Sequence, residues 1–122
     1  MIAAVLRLLG ALIILGFVVF AIRLERVPLN LLYVYLVLGT LSFFNYWRDK
    51  RAAKAEGHRV PERSLQLLDL VFGIVGGLVA QVVLRHKISK PQFAMVTGLI
   101  TALHAVVLAL LIGGVIVYPG LR

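Results

Sequence analysis

Between Ile2 and Ile22 the chain runs through 21 residues with one charge, Arg7. A helix needs roughly 20 mostly apolar residues, at about 1.5 Å each, to cross about 30 Å of hydrocarbon. Similar runs follow at 29–47, 65–84 and 93–118, so 86 of the 122 residues are committed to such segments. With 61% hydrophobic residues, water is not the expected solvent. The predicted fold is a single all-α membrane domain over 1–122, a bundle of four transmembrane helices joined by basic polar loops at 48–64 and 85–92.

The first run has no basic residue ahead of Arg7 and no small-residue cleavage pattern before Arg23, and it exceeds the length of a signal peptide core. It is expected to stay as an anchor, with Arg7 snorkelling to its nearer interface. The second run begins behind Pro28, which suits a first helical turn, and ends at Tyr46-Trp47-Arg48, the amphipathic rings and charge expected at a hydrocarbon boundary. Loop 48–64 carries six basic and three acidic residues, helix-prone as far as Glu56. Ser89 and Gln92 have capping-box spacing ahead of the last helix.

The third run admits two arrangements. As a fourth span it divides the loop lysines and arginines seven to five between the two sides. As a re-entrant helical hairpin at 65–84, broken at Gly73, Gly76 and Gly77, it puts both long polar loops on one side and divides them nine to three. The second obeys the positive-inside rule better, although turning backbone at membrane depth must be buried in protein. Read as one helix, Glu62, Gln66, Asp69, Gly73, Gly76 and Ala80 would share a stripe facing the bundle. Thr97, Thr101 and His104 make a comparable stripe on the last helix.

The formal charge of +8 sits between apolar runs, where it meets a membrane surface. Arg85, His86, Lys87 and Lys90 crowd cations next to a helix N-terminus, a pattern that attracts phosphate or anionic headgroups. Nucleic acid is not the expected partner, because short loops offer too little basic or stacking surface. Asp69 is a candidate polar site because an intramembrane carboxylate is costly unless paired. No cysteine is present, His58, His86 and His104 form no i, i+4 pair, and neither Ser64 nor Ser89 has a base placed by a motif. No metal site, cofactor or nucleophile is therefore expected.

From Tyr46 to Phe93 the chain resembles the small bacterial membrane proteins of the domain of unknown function 1294 family. The matching residues are Asp49-Lys50, Arg59-Val60-Pro61-Glu62, Gly73 with Gly76-Gly77, and Arg85-His86-Lys87 followed by Lys90 and Phe93. Ile88 stands where that family usually has threonine. Some relatives carry a cold-shock domain ahead of the membrane part, which implies a cytoplasmic N-terminus and a multi-pass protein of the bacterial inner membrane. The resemblance directs attention to Asp49, Lys50, Arg59, Glu62, Arg85, His86, Lys87 and Lys90 as one set, and no activity comes with it.

The expected function is binding of phosphate-bearing headgroups, or of a partner protein, by the basic loops. The anion-binding candidates are Lys50, Arg59, Arg85, His86, Lys87 and Lys90, with Asp49, Glu62 and Asp69 as polar partners. One alternative is a membrane-embedded enzyme acting on a lipid or isoprenoid. For it, Arg85-His86 resembles part of the Arg-His-Pro motif of isoprenylcysteine-type methyltransferases, with Lys87 in place of proline. The other is a transporter subunit lined by Asp69 and His104, which would require a homo-oligomer.

Overall fold

Three stretches fold as unbroken helices in a computed structural model that describes residues 2–55, 62–84 and 90–119. They are α1 (Ile2–Arg23), α2 (Leu29–Lys54) and α5 (Pro91–Ile112). Between α2 and α5 come α3 (Glu62–Leu68), a widened turn over Asp69–Gly73, and α4 (Ile74–Val83). The chain is all-helical. Four segments, Ile2–Arg23, Leu29–Lys54, Glu62–Val83 and Pro91–Ile112, are long and apolar enough to cross a membrane. Leu12, Val37, Leu99 and Val106 each expose more than half of their surface, a broad apolar exterior that suits hydrocarbon rather than water.

The ends of these helices follow local chemistry. Pro91 takes the first position of α5, where its missing N–H costs nothing. Lys90 stands at that cap and makes no side-chain capping bond; the expected Ser89–Gln92 box falls on Ser89, outside the described residues. α5 stops at Gly113-Gly114, short of the expected 118, because Gly114 adopts φ +76°. α2 runs past Trp47 to Lys54. Arg51, one turn on, lies 4.9 Å over the Trp47 ring and supports that extension.

Although Glu62–Val83 could span by length, its path doubles back. Val71 (φ −89°, ψ 38°) and Phe72 (φ 86°, ψ 5°) leave helical geometry and reverse the chain. Leu65 and Ala80 share one buried cluster with Tyr46 and Phe93. Lys50 Nζ donates to the Leu84 carbonyl, and Lys90 pairs with Glu62, so both ends of the segment meet the same end of the bundle. Of the two arrangements open for 65–84, the pairings follow the hairpin.

The break falls at Val71 and Phe72 and closes at Gly73, one of the three glycines expected to make it, and not at the other two. Gly76 and Gly77 are inside α4, where they serve close contact instead. A Cβ on Gly76 would overlap the Gly39 backbone, and one on Gly77 would overlap the Asp69 carboxylate. The single stripe drawn through Glu62, Gln66, Asp69, Gly73, Gly76 and Ala80 is thus broken at the turn, and Gly76 faces Gly39 of α2.

α4 runs parallel to α2 and antiparallel to α1, wedged among the long helices. Its buried Ile74, Val75 and Leu78 join Ala11, Ile14 and Val18 of α1, Leu31 and Tyr35 of α2, and Ile100 and Leu108 of α5 in the main apolar cluster. Non-helical backbone in hydrocarbon must be covered by protein; Asp69 and Gly73 at the two ends of the turn are buried, whereas Leu70 and Val71 between them expose 42% and 48% of their surface.

Candidate functional site

At the hairpin's centre the carboxylate of Asp69 is fully buried. Ser42 Oγ donates to its Oδ1 at 2.5 Å and Tyr46 Oη to its Oδ2 at 2.6 Å. Both donors come from one face of α2, four residues apart. Gln81 of α4 then donates through Nε2 to Tyr46 Oη at 3.1 Å and to Thr97 Oγ1 at 3.3 Å, while its Oε1 accepts from Arg7 Nε at 2.6 Å. Arg7 also donates through Nη1 to the Ala3 carbonyl at 3.1 Å.

The order Arg7, Gln81, Tyr46, Asp69 is a polarised chain in which every N–H or O–H points toward the carboxylate. An amide and a phenol separate a guanidinium from a carboxylate, so opposite charges are linked without touching. Arg7 is 9% exposed, its Nε bonded to Gln81 within the bundle and its Nη1 reaching back to Ala3, one turn nearer the start of α1. One chain of bonds ties α1, α2, α4 and α5 to the hairpin.

A second polar group sits at the tip. His104 Nε2 lies 3.0 Å from the Leu70 carbonyl, and Nδ1 lies 2.6 Å from Tyr35 Oη. A carbonyl only accepts, so Nε2 carries a proton, and in the neutral ring Nδ1 accepts from the tyrosine. The helix break frees the Leu70 carbonyl, and this histidine satisfies it. Phe72 packs edge-on against both rings, at 5.1 Å from Tyr35 and 5.5 Å from His104. These contacts hold a non-glycine residue at positive φ, a conformation costing of order 1–3 kcal/mol.

Of the residues singled out from the sequence, Asp69 lies in the hairpin core, whereas Lys50, Glu62 and Lys90 lie at the bundle end. Asp49 is fully buried one turn beyond Tyr46. Arg59, Arg85, His86 and Lys87 lie outside the described residues. Ser42, Tyr35 and Gln81 were not expected as partners. Gln81 could have been found as the one amide in the apolar run Leu78–Leu84. Tyr46 was expected only as an interface ring.

Both Asp69 oxygens are engaged, and Gly77 lies flat against them. Among the described residues no buried side-chain nitrogen or oxygen lacks a hydrogen-bond partner, and no cluster of histidine and carboxylates could hold a metal.

Comparison with known families matches residues 29–93, from the first residue of α2 to Phe93, to a family described as Protein of unknown function (DUF1294). No curated protein and no solved structure matches the chain.

Proposed function

Because the chain belongs to the DUF1294 family, whose activity is unknown, its role has to be argued from its own geometry, and we propose that it is a multi-pass bacterial inner-membrane protein whose basic end binds phosphate-bearing lipid headgroups. The observation that carries this reading is the return of the hairpin. Lys50 against Leu84 and Glu62 against Lys90 bring the ends of both polar segments together.

By sequence, the segments that start and finish at this end carry nine lysines and arginines, against three at the other. That excess favours a cytoplasmic position for this end, and with it for the start of α1. Three full crossings then leave the C-terminal side of α5 on the opposite face. Each cation near an anionic leaflet contributes about 1 kcal/mol of attraction. Lys50 and Lys90 are also engaged within the protein, so the exposed Arg51, Lys54 and Arg63 are the more available contributors.

The test is binding to nanodiscs with and without phosphatidylglycerol, using a variant in which Arg85, Lys87 and Lys90 are all changed to glutamine. Weaker uptake of anionic lipid by the variant supports the reading. Unchanged uptake rejects that cluster, and a partner protein captured only by the wild type would move the role from lipid to protein.

A further inference from the structure

A cleft of about 510 Å³ runs between α1 and α5, and its two ends differ in chemistry. At the basic end its wall is Arg7, beside Ala3 and Ala94. Arg7 is bonded to Gln81, which is bonded to Tyr46, so the guanidinium lies level with the Tyr46-Trp47 pair at the edge of the apolar stretch. Past Arg7 and Gly98 the lining becomes Ile13, Ala102 and Ala105, interrupted by Thr97 and Thr101, whose hydroxyls are bonded within the protein.

The small residues Ala94, Gly98, Ala102 and Ala105 recur at helical steps and form one face of α5. This face is open. A Cβ on Gly98 would meet no atom within 4 Å, whereas one on Gly10 would meet Thr101 at 3.2 Å where α1 and α5 touch. The result is a trough with a cation at headgroup depth and apolar walls leading toward the middle of the bilayer.

We infer that this cleft is a binding site for one anionic phospholipid, its phosphate drawn to Arg7 and one acyl chain lying along Gly98 and Ala102. The inference rests on the membrane reading above and adds a defined subsite on α1 and α5, away from the basic segments. Basic pockets between membrane helices suit such headgroups. The attraction needs no idle N–H, because the guanidinium keeps its charge whatever its bonds to Gln81 and Ala3. A second copy of the chain is the other occupant a small-residue face could seat. It fits less well, because two copies oriented alike would bring Arg7 against Arg7.

Native mass spectrometry of the full chain in detergent, with phosphatidylglycerol or phosphatidylcholine of the same acyl chains, separates these cases. The wild type should retain a first phosphatidylglycerol about fivefold better, the factor expected from one cation near a lipid anion. R7Q should erase that preference and R7K should restore it. G98L, which fills open space rather than protein, should lower retention of both lipids while leaving the unfolding midpoint unchanged. Wild-type preference in both R7Q and G98L overturns the site and leaves headgroup binding by the basic segments standing. No preference in the wild type removes both. A dimer that G98L abolishes without any effect on lipid assigns the cleft to a second copy and overturns the inference.

Discussion

The carboxylate of Asp69 rests against the bare Cα of Gly77, eight residues further along the chain. In a continuous helix those residues would stand about 12 Å apart along the axis, so this contact by itself requires the reversal at Val71 and Phe72. It also gives the hairpin a sharp test. Gly77→Ala should destabilise the protein by about 1–3 kcal/mol, the range for overpacking a filled interior. Because the clash is with Asp69, the double variant Gly77→Ala with Asp69→Ala should lose less than the sum of the single losses, as read from unfolding midpoints in detergent.

Asp69→Asn keeps one acceptor and turns the other into a donor facing a hydroxyl. Either Ser42 or Tyr46 must then accept where it donated, leaving its own O–H proton without an acceptor, at about 1–3 kcal/mol for a buried group left unsatisfied. Tyr46→Phe removes both the donor to Asp69 and the acceptor for Gln81, and should cost a similar amount. A loss below about 0.5 kcal/mol in both variants would show that the chain from Arg7 to Asp69 contributes little to holding the hairpin.

At the tip, Tyr35→Phe removes one hydrogen bond, to His104, and keeps the ring that packs on Phe72. Interhelical hydrogen bonds of this kind average about 0.6 kcal/mol. His104→Leu additionally strips the Leu70 carbonyl of its donor in surroundings without water, so it should cost more than Tyr35→Phe. The reverse order in thermal melts would mean that the carbonyl finds another partner.

The path of residues 62–84 can be read in intact cells, since a chain without cysteine gives no background labelling. In intact cells, single cysteines at Ala55 and Gln92, both exposed, should alike be protected from an impermeant reagent until the membrane is opened, while one at the exposed Glu25 reacts at once. Opposite accessibility for Ala55 and Gln92 would exclude the hairpin.

The three unbroken helices were legible because length, hydropathy and the Tyr46-Trp47-Arg48 boundary act locally. The hairpin was legible only as an imbalance of charge between loops. Its turn was not, because neither Val71 nor Phe72 belongs to a residue type that marks a reversal; the aromatic contacts of Tyr35 and His104, distant in sequence, hold Phe72 there. The glycines were visible but their purpose was not, since close approach and turning leave the same mark on a sequence. Asp69 stood out as a charge in an apolar run, whereas Ser42 and Tyr35 are ordinary residues until a carboxylate or an imidazole is placed opposite them. Arg7 was noticed, but its direction depended on Gln81, 74 positions away.

The arms of the hairpin, seven and ten residues long, are about a third and about half of what is needed to cross the hydrocarbon unaided. Neither can therefore be retained there until something receives it. Ser42, Tyr46 and Arg7, all made earlier, supply most of that reception, while Thr97 and His104 on α5 come later. A nascent chain stalled before Pro91 would therefore hold the hairpin against α1 and α2, with Gln81 short of one acceptor and the Leu70 carbonyl short of its donor.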